Sequence, residues 1–268
     1  MTEHERLVMR NIIYAVETGG QVYGQKDYAD FTEAYTNSSS EHAITIGAGQ
    51  WYGNEARTLL LNIKSADAAT FKKYDNAGVA SDLTKTDWSN YRISKTSAKA
   101  KAIVKIIDSA VGHRCQDKLV DTQMEAYVKE AAALGVTYMD AKMMCANFRH
   151  QGGASAVKRI LAKTAKPYTL DHLYAACQTD TGNQVGAYKS RQKMVYNALK
   201  THITNYKVTA AEAIQAAIKI AKAEVGYLEK ASNKDLDDKT ANAGKGNYTK
   251  YWRDVAPEYQ GSYWCAGF

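Results

Sequence analysis

Hydrophobic positions recur every three to four residues over most of the chain, the spacing of helices that bury one face. Leu7, Val8, Ile12, Ile13 and Val16 set the first such stripe and Gly19-Gly20 ends it, which predicts a helix over residues 4–17. Residues 21–42, rich in Tyr, Asp, Ser and Gly, carry neither helical nor strand periodicity and read as a loop. The segment AITIGAGQWYG at 43–53 then sets a β-branched pair between glycines, which predicts a short hairpin. Beyond Asn54 one helical pattern follows another: EARTLLLNI, SADAATFKKY, SAKAKAIVKIIDSAVG, VDTQMEAYVKEAAALG, YMDAKMMCANFRH, SAVKRILAKT, TLDHLYAACQ and YKSRQKMVYNALKTHI. Ser65, Thr137 and Thr169 stand where N-caps belong, and Gly112 and Gly135 where helices stop. A second segment starts near residue 205. There Thr209 and Glu212 form a capping-box pattern ahead of AIQAAIKIAKAEVG, and residues 230–263 turn polar. The expected fold class is α+β and mostly α-helical: a domain over 1–204 with a short β-hairpin, then a helical and irregular segment over 205–268.

Composition narrows the function classes. With 268 residues, 45% hydrophobic and 24% charged, the chain has the make-up of an ordinary folded protein with a sizeable core. Its 35 Lys and Arg against 28 Asp and Glu give a net charge of +7, which favours acidic partners such as an anionic cell wall. The charges are mixed along the chain, and no zinc finger, basic zipper or ribonucleoprotein motif appears, so no nucleic-acid partner is expected. The opening MTEHERLVMRNIIYAVETGG scatters charges among its apolar residues and reads as neither signal peptide nor spanning helix. The expectation is synthesis in the cytoplasm without membrane insertion. Cys115, Cys145, Cys177 and Cys265 lie far apart with no CxxC pair, which argues against a zinc site or a disulfide framework. No metal or cofactor is expected, and the first three read as buried thiols.

The chemistry concentrates near residue 17. Glu17 falls at the C-terminal end of the first helix, where the helix dipole disfavours a carboxylate, and burial there would raise its pKa. Cleaving a glycosidic bond needs such an acid still protonated near neutral pH, and a second group that stabilises the oxocarbenium-like state or activates water. Asp27, Asp30, Glu33 and Glu41 all follow before the hairpin, and Tyr23, Tyr28, Tyr35, Trp51 and Tyr52 offer flat faces for a sugar. A plain reading stands beside each: an exposed Glu finishing a helix, acids in a solvated loop, aromatics clustering by chance among 19 tyrosines. ANFRHQGG at 146–153 places Arg149, His150 and Gln151 at a helix end; His150 and Gln151 either bind sugar or wall peptide, or the segment is a cation-favouring C-terminus with a glycine turn. CQTDTGNQVGAYKSRQK at 177–193 reads as a similar polar turn with no catalytic role.

An acid ending the opening helix, a polar loop, a Thr-Ile-Gly-x-Gly hairpin and a helical remainder together resemble the phage-type lysozymes and the wider lysozyme-like superfamily. The matching residues are Glu17 and Thr45-Ile46-Gly47-Ala48-Gly49, with Gln50 where those enzymes often carry His. The resemblance implies Glu17 as general acid and Thr45 positioning the attacking water. The second carboxylate would come from just before the hairpin strand, Glu41 first and Asp30 next, although some lysozyme-like enzymes manage with one. Tyr23, Gly47, Gln50, Trp51, His150 and Gln151 would bind substrate.

VGYLEKASNKDLDDKTANAGKGNYTKYWRDVAPEYQGSYWCAGF resembles the opening of the NlpC-like and CHAP cysteine peptidase and amidase domains, with Trp264-Cys265-Ala266 where the nucleophile begins a helix. The sequence stops three residues after Cys265, before any histidine that would activate the thiol, so this half is expected to be inactive as truncated. Paired, the two resemblances imply a modular phage endolysin. Its partner would be bacterial cell-wall peptidoglycan, cut in the glycan strand at the MurNAc to GlcNAc bond after release from the host cytoplasm. A lytic transglycosylase, a chitin or chitosan glycosidase on the same fold, and a non-catalytic wall-binding or phage structural module are the alternatives.

Overall fold

A computed structural model describes residues 1–181, 183–206, 210–255 and 257–262. The chain divides into two compact units, Met1–Tyr206 and Lys207–Phe268.

In the first unit, Thr2 and Glu5 close the opening turn of α1 (Glu3–Thr18) as a reciprocal cap: Thr2 N donates to Glu5 Oε2 at 2.6 Å and Glu5 N to Thr2 Oγ1 at 3.2 Å. Val8, Met9, Ile12 and Ile13 bury its apolar face, and Gly19, at φ +73°, ends it. Phe31–Thr32 (β1), Thr45–Ile46 (β2) and Trp51–Tyr52 (β3) form an antiparallel sheet in that order, Thr45 standing opposite both Thr32 and Tyr52. The hairpin is the expected one. Strand β1 lies in the stretch that reads as loop, since two residues are too few to show an alternation.

The remainder of this unit is helical: α2 (Asn54–Ala66), α3 (Ala68–Tyr74), α4 (Val79–Asp82), α5 (Ala98–Ile107), α6 (Ala110–Ala133), α7 (Met139–Lys163), α8 (Leu170–Thr179), α9 (Asn183–Ala187) and α10 (Lys189–Leu199), which runs on into a π-helical turn at Lys200–Thr204. Thus the chain is α+β and mostly helical. Several boundaries differ from expectation. Ser65 lies inside α2, and Asp67 caps α3 by accepting Thr70 N at 2.9 Å. Gly112 stops nothing: it is buried inside α6, where a Cβ would lie 2.3 Å from the Ile107 carbonyl, so it lets α5 and α6 meet closely. Tyr138, not Thr137, precedes α7 and offers no side-chain cap. Thr169 does cap α8, accepting His172 N at 3.2 Å, and Gly135, at φ +87°, follows α6. Helix α7 continues through the glycine pair, kinking at Gly153 (φ +75°, ψ −179°).

Helix α6 packs against α1, α2, α5 and α7 and forms the centre of the core, where Val120, Met124 and Val128 join Ile12, Ile13, Met143, Met144 and Phe148. From α6, Gln116 reaches the hairpin. Ala48 N donates to its Oε1 at 2.9 Å, while its Nε2 donates to the carbonyls of Tyr28 and Ile107, both at 3.0 Å. A Cβ on Gly47, at φ +76°, would lie 2.5 Å from that Oε1, and one on Gly49 2.7 Å from the Trp51 indole. The two glycines serve close approach of the turn to α6 and Trp51.

The second unit holds α11 (Ala210–Glu224), α12 (Lys250–Val255) and a 3₁₀ turn at Pro257–Tyr259. The polar stretch between the helices is pinned by bridges from Lys230 to Ala243 and Tyr248. Thr209 of the expected capping box and the Trp264-Cys265-Ala266 motif lie outside the described residues. Among those described, no helix is long and apolar enough to cross a membrane.

Candidate active site

Helix α1 brings Glu17 to a cleft of about 1010 Å³. Also lining the cleft are His150 and Gln151 from α7, Tyr188, Ser190, Arg191 and Met194 at and in α10, and Thr36, Asn37, Ser40, Glu41, Thr45, Gln50, Tyr52 and Glu55 from the sheet region and the start of α2. Seven residues singled out from the sequence therefore share one cavity: Glu17, Glu41, Thr45, Gln50, Tyr52, His150 and Gln151.

Glu17 is held by a guanidinium and an imidazole. Arg191 Nη1 lies 2.6 Å and His150 Nε2 3.3 Å from its Oε1, and all three side chains are at least four-fifths buried. Burial alone pushes the carboxyl up, but the hydrogen-bonding contact of His150 and the charge of Arg191 outweigh it and hold it down at about 2. The expected rise is thus reversed. It rested on the helix dipole and burial, and Arg191 supplies a nearer full charge from a distant part of the chain.

A buried relay of amides holds Arg191 in place. Its Nε donates to Asn147 Oδ1 at 3.1 Å, Asn147 Nδ2 to Gln192 Oε1 at 2.8 Å, and Gln192 Nε2 to Gln151 Oε1 at 2.7 Å. Asn147 and Gln192 are fully buried, so each amide keeps its place only while the others satisfy it. Arg191 Nη2 is buried with no hydrogen-bond partner.

Other expected residues do different work. Asp30 lies outside the cleft lining, pushed up by burial, and accepts Gln50 Nε2 at 2.6 Å; it positions Gln50. Trp51 is fully buried, its Nε1 donating to Gln123 Oε1 at 2.9 Å, so it is core and no sugar platform. Gly47 is buried against Gln116 and Trp51. Tyr23 is exposed but sits edge-on to His202 at 5.1 Å, away from the lining. Tyr28 donates to Asp117 and Tyr35 contacts His42, which leaves Tyr52 as the one of the five aromatics that lines the cleft. Asp27 accepts Ala29 N within its own loop, and Glu33 accepts Lys95 N, tying its loop to the segment before α5. Burial pushes the thiols of Cys145 and Cys177 up to about 12 and about 11; Cys115 is only half-buried, and Cys265 lies outside the described residues.

Sequence reasoning missed Arg191, Glu55, Asn147 and Gln192; the stretch 177–193, read as a polar turn, instead holds the end of α8, α9 and the start of α10, and it supplies Arg191 to Glu17. The one available signal was the Arg-Gln pair inside YKSRQKMVYNAL, where a glutamine falls on the apolar face of a helix. Among the described residues, no three His, Cys, Asp or Glu side chains cluster to hold a metal ion. Comparison of the chain with protein-family models, with curated proteins and with solved structures finds no match.

Proposed function

We propose that this chain hydrolyses the glycan strand of bacterial peptidoglycan at the MurNAc to GlcNAc bond. The observation that carries the reading is the meeting of Glu17, Glu41 and Thr45 in one cleft of about 1010 Å³, a size suited to a sugar chain. Glu17 protonates the leaving oxygen, and Glu41 with Thr45 holds and activates the attacking water. With Glu17 held at about 2 in the free site, its acid form must be generated in the complex. A glycan filling the cleft strips water from a carboxyl already four-fifths buried, and desolvation moves it upward.

Zymography on purified cell walls tests the reading. Wild-type chain is expected to clear the wall and Glu17→Gln to lose clearing by about a thousandfold or more while keeping its circular dichroism spectrum. Clearing by Glu17→Gln refutes the assignment, and binding without clearing by the wild type makes the chain a wall-binding module. Reducing-end and mass analysis of the digest then separates hydrolysis from transglycosylation, which leaves an anhydro ring.

A further inference from the structure

The two groups that touch Glu17 Oε1 differ in one chemical respect. Arg191 keeps its proton at any physiological pH, whereas an imidazole gains and loses one around neutrality. His150 is the member of the pair able to hand a proton over, and its Nε2 lies 3.3 Å from the carboxyl. Its side chain is about 10% exposed and that of Glu17 about 16%, and both line the cleft. Its contact with Glu17 is the one ion pair it makes among the described residues, while hydrogen bonds among Asn147, Gln151 and Gln192 tie α7 to α10.

We propose that His150 is the proton carrier of the site, a positioning residue that reloads Glu17 in each turnover. The inference rests on the glycosidase reading above. As the bond from the anomeric carbon to the leaving oxygen breaks, its electron pair goes to that oxygen, which takes the Glu17 proton. The carboxylate takes the proton of His150 Nε2, and His150 regains one from solvent. Water adds its oxygen to the anomeric carbon and releases its proton through Glu41 to solvent, so one water is consumed and no net proton. The charged and titratable groups facing this pair are Arg191 from α10, Glu41 from the segment before β2, Tyr52 from β3, Glu55 from α2 and Tyr188 before α10. Arg149, the neighbour on α7, is turned to Glu130 at 2.8 Å.

The kcat of the wild type should fall as pH rises through the range in which imidazoles ordinarily lose their proton. The test follows kcat against pH on soluble glycan fragments for wild type, Glu17→Gln, His150→Gln and His150→Ala, with folding checked by circular dichroism. His150→Gln is expected to lose about tenfold or more at neutral pH and to show a rate that climbs steadily as pH falls. Imidazole added to His150→Ala is expected to restore part of the rate, which a packing role would not allow. If wild type cuts the glycan, Glu17→Gln is dead, and His150→Gln keeps the wild-type rate and profile, the proton-carrier role is overturned and the glycosidase stands. If wild type cuts nothing or Glu17→Gln remains active, the glycosidase reading falls and this proposal with it.

Discussion

Replacing Glu17 by Gln removes a titration without changing the side chain's shape, and the structure sets the size of the effect on stability. The folded carboxyl sits at about 2 against an ordinary 4.5. A carboxyl whose folded value is depressed contributes stability that is present above 4.5 and is lost as pH falls through 2. The gap corresponds to about 3 kcal/mol, of which about 2 kcal/mol disappears between pH 5 and about pH 3. Gln cannot titrate, so the stability of wild type relative to Glu17→Gln should shrink by about 2 kcal/mol across that window. The groups that remain do not imitate this. Asp180, also held at about 2 by the hydrogen bonds of Arg159 and Lys163, is common to both proteins and cancels. Histidines ordinarily titrate above the window, and Arg191 left without its counter-charge gives an offset that pH does not vary. Urea unfolding of the full chain, followed by far-ultraviolet circular dichroism at steps of half a pH unit, reads the difference directly. A wild-type advantage that stays constant from pH 5 to pH 3 refutes the ion-paired picture of Glu17.

Two further substitutions separate fold from site. Trp51→Ala is expected to cost about 4 kcal/mol in urea unfolding, because it empties a fully buried position and strands Gln123; a sugar-stacking Trp51 would leave stability unchanged and weaken glycan binding alone. Gly47→Ala should lower the melting temperature by an amount equivalent to about 2 kcal/mol, since its new methyl would meet Gln116 Oε1 at 2.5 Å on a backbone at φ +76°, and an unchanged melting curve would show that the turn yields without cost.

The sequence was legible wherever a local rule acted alone. The stripe from Leu7 to Val16 and the glycines after Glu17 predicted α1 to within a residue at each end, because capping and burial there depend on near neighbours. Thr169 and Gly135 read correctly for the same reason. Local rules failed where a distant element took over the position. Gly112 looked like a stop, yet the approach of α5 and α6 needs a residue without a side chain there, and the helix runs through it. Trp51 looked like a platform because it sits among tyrosines, but alternation along β3 puts it inward and Tyr52 outward, toward the cleft. Two-residue strands carry too little alternation for that choice to be read from the sequence.

The same division runs through the cleft. Glu17, Thr45, Glu41, His150 and Gln151 could be singled out because each stands in a short pattern in one stretch of chain. What no such pattern showed is that they meet partners from elsewhere: Arg191 and Gln192 come from α10 and Asn147 from α7, brought to Glu17, His150 and Gln151 by helix packing. Their identity matters more to the chemistry than the hairpin does, since a carboxyl at this helix end would be raised by burial and is lowered only by those partners. An acid kept ionised until its cleft fills is a poor donor to water and to stray sugars. On the proposed glycosidase reading it would act once a bound glycan displaces solvent and His150 releases a proton, which would put the selectivity of the site in the helices as much as in the Thr-Ile-Gly-Ala-Gly turn.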